Sequence, residues 1–400
     1  NGTIWSVRED REGALWLGTE EHGALRLHKG RATRYTTRDG LLSNEIGAIA
    51  EDRNGDIWLG SDAGLNRVSN GRIYGLPAGA DAPIGHVRAI HVEPDGSLWI
   101  ATMGNGVSRY YDGRFTQFTK SNGLPDDWVR VIHRDRNGAL WFGTNQGLAC
   151  MKGNRFVPIE TASGLQQESI YAIHEDRDGV LWIGTVSGGL ARLDSNTLRF
   201  INARQGLVDD AVYSILEDAS GDFWLSCNLG VFQVNRKELN ALVAGRVDRI
   251  NPTLFDTADG MRSRECNGGI QPSAWRSADG RMWFPTIEGV AAIHPTRVKQ
   301  KGLTPSVLLK NVSVDRHPID FSGFVSMPPS HGDLEFEYTG INFFAPERIR
   351  FTYKLAGFDK DWIDAGTRRT AYYTKVPPGR YVFHVRSEER RVGKECGLLC

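Results

Sequence analysis

The chain has 400 residues, 48 Lys and Arg against 48 Asp and Glu, and a surplus of Gly (46) and Trp (11). That length suits two or three domains of roughly 150 residues, and the charge balance excludes the clustered basic surface that nucleic acid or an anionic membrane requires. No apolar run approaches the roughly 18 residues of a membrane-spanning helix, and Cys150, Cys227, Cys266, Cys396 and Cys400 form neither a CxxC pair nor a metal-finger spacing, so no metal or cofactor is expected.

Along the chain, seven tryptophans fall into register: Trp16, Trp58, Trp99, Trp141, Trp182, Trp224 and Trp283, separated by 42, 41, 42, 41, 42 and 59 residues. A glycine stands three positions before each, from Gly13 to Gly280. An Asp stands six before in five copies (Asp10, Asp52, Asp135, Asp176, Asp218), with Glu93 and Ser277 the exceptions. One copy explains the period. Val129 to Arg134 is a strand, and Asp135-Arg136-Asn137-Gly138 is a tight turn in which Asp accepts bonds from the backbone and Gly takes φ > 0. Ala139 to Thr144 returns with the Trp, a third strand starts at Leu148, and a fourth runs from Arg155 to Ile159. A longer link follows each meander, marked by Gly40-Leu41, Gly123-Leu124, Gly164-Leu165, Gly206-Leu207 and Gly260-Met261, with Ala78 to Pro83 in the second copy instead. Four short strands and a long link at this period predict a propeller blade. The Trp is then expected to fill the wedge between neighbouring blades, a packing role.

Departures from the repeat carry the candidate chemistry. His91, His133 and His174 share the slot eight before the Trp, but Arg8, Ala50, Leu216 and Trp275 occupy it elsewhere, so a metal role is not favoured over core packing. Cys227 replaces a Thr or Ser and reads as a small core substitute. Arg236 to Val247 is a helical insertion in the sixth copy, which accounts for the interval of 59. The link Arg262 to Pro272 combines a carboxylate, a thiol, two amides and adjacent glycines. It suits either an unusual backbone path bracing the insertion or hydrogen bonding to a polyol, with Glu265, Cys266, Asn267 and Gln271 as candidate ligand contacts. The seventh copy shows three strands. Its fourth is expected from upstream of Asn1, leaving an open seam between the first and seventh blades.

Beyond Pro305 the alternation of Leu334, Phe336 and Tyr338 with Glu335 and Glu337, and the turn Pro377-Pro378-Gly379, predict a small β-sandwich. The fold class is therefore all-β: a seven-bladed β-propeller over residues 1–300, its last blade incomplete, followed by a truncated Ig-like β-sandwich over 301–386. Residues 387–400 show neither alternation nor turn logic and are expected to be a non-native tail. The start, Asn1-Gly2-Thr3-Ile4-Trp5, has neither initiator Met nor signal profile, so the chain is expected to be an excerpt.

The run Ile170-Tyr171-Ala172-Ile173-His174-Glu175-Asp176-Arg177-Asp178-Gly179-Val180-Leu181-Trp182-Ile183-Gly184-Thr185, then Gly188-Gly189-Leu190, resembles the two-component regulator propeller repeat. The later series, with Ala345-Pro346-Glu347, Phe351 to Trp362, and Pro377 to Phe383, resembles the Y_Y_Y domain, whose tyrosines would be Tyr353, Tyr373 and Tyr381. The resemblance implies a periplasmic ligand-sensing region of a bacterial two-component receptor. It would bind a small molecule or oligosaccharide, form a homodimer through the Y_Y_Y domain, and precede a transmembrane helix and a histidine kinase or similar output module. The alternatives are a propeller enzyme or a scaffold binding protein. The Asp-x-x-Gly-x-x-Trp turn is similar to the Asp-box of sialidase propellers, but no converging carboxylate pair and no GxSxG elbow stand out, so no catalytic residue is expected in this segment.

Overall fold

The computed structural model describes residues 2–79, 82, 84–159, 164–194, 197–298, 306–321, 331–341, 349–389 and 392–399. Ala345 to Glu347, part of the Y_Y_Y series, and parts of the second-blade link lie outside the described residues. The chain forms two compact units, Asn1–Val298 and Lys299–Cys400.

In the first unit, six four-stranded antiparallel meanders and one three-stranded sheet follow one another among the described residues. Their innermost strands are Ile4–Glu9, Ile46–Glu51, Val87–Val92, Val129–Arg134, Ile170–Glu175, Ser214–Glu217 and Trp275–Arg276. The Asp of each turn does two jobs, of which the sequence shows one. In blade 5, Asp176 Oδ1 accepts from the backbone of Asp178 (2.9 Å) and Val180 (3.0 Å), while Oδ2 accepts from the Trp182 indole at 2.9 Å. The same indole bond forms in blades 1, 2, 4 and 6 at 2.8 to 3.0 Å, and Ser277 replaces the Asp for Trp283. Each ring also lies in the cluster shared with the next blade, as Trp182 does with Phe223, Leu225 and Phe232. The indole is thus a wedge tied at one edge, which fixes its rotamer as well as burying its area.

The Gly-Leu links are single 3-10 turns. Thr36, Thr119, Asn202 and Asp256 cap them, Gly40, Gly123, Gly206 and Gly260 end them at positive φ, and Leu41, Leu124 and Leu207 drop into the core after them. The insertion is a helix, Arg236–Val243, capped by Asn235 and ending before Gly245, so it is shorter than the stretch expected. Its Leu239 is fully buried against blades 5 and 6.

Blade 7 has three strands, yet the expected open seam is not observed. Trp275, Trp283 and Val290 pack on Ile4, Val7, Leu15 and Leu17, and the backbone N–H of Ala278 donates to Glu9 at 2.7 Å. Closure rests on the inner strands, and the fourth strand of a blade lies away from them.

The second unit places the sheet His317–Ile319, Ser306–Val314, Leu334–Ile341 and Thr370–Tyr373 over the sheet Ile363–Gly366, Arg350–Ala356, Val382–Glu389 and Val392–Leu399. Phe336 stacks on Phe383 at 3.9 Å in the core between them. Tyr353 and Tyr373 meet edge to face in that core at 5.9 Å; the Tyr373 hydroxyl donates to Asp359 at 2.5 Å, and Tyr381 donates to the Pro377 carbonyl at 2.8 Å, bracing the Pro-Pro-Gly turn. The irregular reading of 387–400 needs correction at the backbone level. Val392–Leu399 pairs along the whole of Val382–Glu389, because a strand at a sheet edge needs only a backbone ladder and no side-chain alternation.

Candidate functional site

All inner strands run from the same end of the propeller channel, here called the mouth, to the Asp-x-x-Gly hairpins at the other. Five of them slip register near the mouth, and the skipped residues are Trp5, Gly47, Arg88, Arg130 and Tyr171. A bulge of this kind re-aims a side chain out of the sheet. Tyr213 holds the same place in blade 6 and Pro272 in blade 7, all seven being eleven residues before the repeat Trp. Gly47 leaves a gap in this ring. Across it the Arg88 guanidinium lies 5.8 Å from the Trp5 ring, although the whole of blade 2 separates them in sequence. The Arg130 guanidinium covers Tyr171 at 4.8 Å, and Tyr171 meets Tyr213 at 5.6 Å.

The link 262–272 crosses this mouth. Asn267 donates to the Ile4 carbonyl at 2.6 Å, Val7 N–H to the Pro272 carbonyl at 3.2 Å, and Gln271 N–H to the Arg88 carbonyl at 2.8 Å. The Gln271 amide grips Ile132 twice, accepting from its N–H at 3.0 Å and donating to its carbonyl at 2.9 Å. The inner strands have no neighbour on their axial side, so these bonds satisfy backbone groups that would otherwise be left unpaired. Close approach requires the two glycines. A Cβ on Gly268 would lie 2.6 Å from Tyr213, and one on Gly269 would lie 2.9 Å from Arg130 at a φ of +73°.

The four candidate contacts of this loop therefore have different surroundings. Glu265 is exposed, with its carboxylate outside the bonds that hold the loop. Asn267 and Gln271 have their amides engaged by Ile4 and Ile132. Cys266 is buried beside Cys227; both thiols point at the Gly230 carbonyl, and burial pushes each up to about 12. Cys227 does the work of the Thr or Ser it replaces, since Thr144 and Thr185 bond the matching carbonyls at 2.9 Å.

Electrostatics single out the arginines. Among the described residues neither Arg88 nor Arg130 has a carboxylate within ion-pairing distance. Arg130 donates to Asn145 at 2.7 Å, whereas Arg88 Nε is buried without an acceptor. Burial, then the nearby Arg130, lowers the Arg88 pKa, with Glu45 opposing. Burial also raises Glu45, with Asp62 adding to it. Two guanidiniums among three aromatic rings can stack on a sugar face and bind an acceptor-rich or anionic group.

The three histidines lie further down the same strands, opposite Trp99, Trp141 and Trp182. His91 turns to Glu93 at 3.0 Å and His174 to Glu217 at 3.2 Å, while His133 Nε2 is buried with no partner. Burial, followed by the charge of His174, lowers His133 to about 4. Sequence reasoning missed the ring of Trp5, Arg88, Arg130, Tyr171 and Tyr213. The available signal was the slot eleven before each Trp, whose position repeats while its residue changes from blade to blade.

The fold and this axial site define a closed propeller followed by a β-sandwich. The family model of the two-component regulator propeller matches residues 1–21, 40–63, 123–146 and 164–187, and that of the Y_Y_Y domain matches 342–394. Among solved structures the chain is similar to the extracellular domain of the hybrid two-component system BT3049 from B. thetaiotaomicron, at 20% identity and a TM-score of 0.84, covering 100% of this chain and 55% of that one. The extracellular domain of the BT4673 system from the same organism aligns at 18% identity and TM-score 0.59, covering 100% of this chain and 57% of that one. Virginiamycin B lyase from Staphylococcus aureus matches at 15% identity and TM-score 0.56 over 73% of this chain and 94% of that one. The chain thus spans little more than half of the two sensor structures. No curated protein matches it in sequence.

Proposed function

We infer that this chain is the ligand-sensing, periplasmic region of a bacterial two-component receptor. Its propeller binds a small molecule or oligosaccharide at the channel mouth, and its Y_Y_Y sandwich pairs with a second copy and relays the signal towards a membrane helix and a kinase. The order of regulator repeats and Y_Y_Y domain supports the sensor reading. The observation that carries the binding site is the axial slot, whose position repeats while its residue changes, placing Trp5, Arg88, Arg130, Tyr171 and Tyr213 around a loop hydrogen-bonded to blades 1, 3 and 4. Fold alone does not separate sensor from enzyme, since a lyase shares the propeller. A ligand shifts a receptor only by its differential affinity for two arrangements, and a site on the axis touches several blades at once.

The test is a thermal-shift screen of oligosaccharides on the full chain, repeated with Arg130→Gln, Tyr171→Ala and Glu265→Ala. Stabilisation lost in the first two supports the mouth, and its loss in Glu265→Ala adds the exposed arm of the loop. Stabilisation that survives Arg130→Gln and Tyr171→Ala moves the ligand elsewhere. Turnover of any stabilising sugar would favour the enzyme alternative.

A further inference from the structure

At the hairpin end, successive blades are latched by one repeated device. The last residue of an inner strand, seven before the Trp, is a Glu in four of the seven copies (Glu9, Glu51, Glu175, Glu217), and it takes the hairpin of the preceding blade; Arg134 and Arg276 stand there in blades 4 and 7. Glu51 accepts from the Arg11 N–H at 3.3 Å, Glu175 from the Arg136 N–H at 2.8 Å, and Glu217 pairs with Arg177 at 3.0 Å. The arginine, five before its own Trp, then reaches the next hairpin: Arg11 donates to the Arg53 carbonyl at 2.7 Å and Arg136 to the Arg177 carbonyl at 2.6 Å.

Blades 3 and 4, and blades 6 and 7, lack both partners of the latch, whereas between blades 2 and 3 the arginine is present and its carboxylate is missing. Arg53 stands ready in the arginine slot, but the residues it should meet are Val92 and Pro94. Among the described residues its exposed guanidinium has no hydrogen bond or ion pair. The carboxylate has moved one place to Glu93, where it leaves the Trp99 indole without the usual Asp and pairs instead with Arg134 at 3.2 Å and His91 at 3.0 Å. The gap is a cavity of about 230 Å³ lined by Arg11, Glu51, Arg53, His91, Glu93 and Arg134 together with Val92 and Pro94. Burial lowers the His91 pKa, with Glu93 opposing, so the ring is neutral near pH 7 and the lining carries one net positive charge.

We propose that this cavity binds a small polyhydroxy carboxylate of hexuronate size. The cleft is open to solvent, and its volume, below the range of drug-sized sites, matches about one sugar ring. Arg53, in the place where the latch takes a Glu carboxylate from the protein, takes one from the ligand. Glu51 and Glu93 accept from ligand hydroxyls, and they repel an anion that has no hydroxyl to donate. The site stands apart from the mouth and does not depend on a ligand there.

Isothermal titration of the full chain with galacturonate, galactose and sulfate tests it. Galacturonate binds, galactose and sulfate do not, and Arg53→Gln weakens galacturonate by about tenfold or more, as expected from the loss of one charge-assisted hydrogen bond. Arg53 is exposed and unpartnered, so Arg53→Gln keeps the native melting temperature. Val92→Glu, which supplies the residue that four copies carry at this place, gives the latch its missing carboxylate, raises the melting temperature and abolishes binding. No heat with galacturonate, equal affinity for galactose or sulfate, or unchanged affinity in Arg53→Gln overturns the assignment.

Discussion

The two ends of the propeller are built from the same inner strands and obey opposite rules. At the hairpin end the same residue recurs at the same place: five Asp carboxylates bind five indoles, and Glu and Arg link one blade to the next. At the mouth the slot recurs but the residue does not, passing from Trp5 to Gly47, Arg88, Arg130, Tyr171, Tyr213 and Pro272. A repeat must reuse a residue wherever each blade has to meet its neighbour in the same way, and is released from that demand where seven slots converge on one axis. Identity is constrained by architecture at one end and free for recognition at the other. Blade 3 departs from the rule of the hairpin end, since Val92, Glu93 and Pro94 replace all three of its repeat residues and leave Arg53 of blade 2 without its carboxylate.

The largest expected effect comes from breaking the hairpin end, where residues recur from blade to blade. Asp176→Ala removes the acceptor of the Trp182 indole and of two backbone N–H groups, and takes from Arg236 one of its two carboxylates, at 3.2 Å, leaving Asp178 at 2.7 Å. Leaving these buried donors unpaired should cost about 3 kcal/mol in urea denaturation, against about 1 kcal/mol for Ser277→Ala, which serves Trp283 with a single bond. Equal costs would mean that the indole tether contributes nothing beyond the turn. A comparable effect is expected from pH. His133 is held near 4 in the folded chain against an ordinary 6.5, so above pH 6.5 it is neutral in both states. Between about 6.5 and 4 only the unfolded chain takes up the proton, and stability falls with falling pH by on the order of 3 kcal/mol, a slope that His133→Gln should flatten. At the mouth the effect is smaller: Gln271→Ala frees the Ile132 N–H and carbonyl and should cost about 1 to 2 kcal/mol, with the mouth loop protected less in hydrogen exchange than the blades.

The difference between the two ends also explains what the sequence made legible. Seven indoles in register expose the blade, the turn and the insertion, because residues reused for packing are visible as a period. The Asp-to-indole bond was not legible, since a turn Asp already has a sufficient reason in its backbone bonds. Nor were Arg88, Arg130 and Tyr171, whose role depends on a bulge that turns them out of the sheet and on Gly47 leaving space for a contact across a blade. Residues 262–272 stood out as unusual, but which of its side chains hold the loop is decided by partners up to 263 residues away, as for Asn267 and Ile4. The closed seam was missed for a related reason: strand count describes the rim of a blade, whereas Leu15, Leu17 and Trp275 close the ring at its centre.

A difference as small as that at the mouth isolates the tether from the wedge. Trp182 and Trp99 occupy the same slot, are 0% and 4% exposed, and differ in the residue six places before them. Trp182 has Asp176 on its indole nitrogen. Trp99 packs on Phe118 at 5.5 Å and Phe142 at 5.7 Å with the Arg109 guanidinium over it, while Glu93 is drawn to Arg134. Replacing either ring by Phe removes a similar amount of buried surface, so the area terms largely cancel in the difference. What remains is the charge-assisted bond and the carboxylate oxygen left behind, so Trp182→Phe should exceed Trp99→Phe by about 1 to 2 kcal/mol in denaturant midpoint analysis. The double variant Asp176→Asn with Trp182→Phe should then cost less than the sum of its parts, because each change removes a partner that the other no longer needs. Additive costs would show the two groups to be neighbours without coupling, and the repeat would be held by the wedge alone.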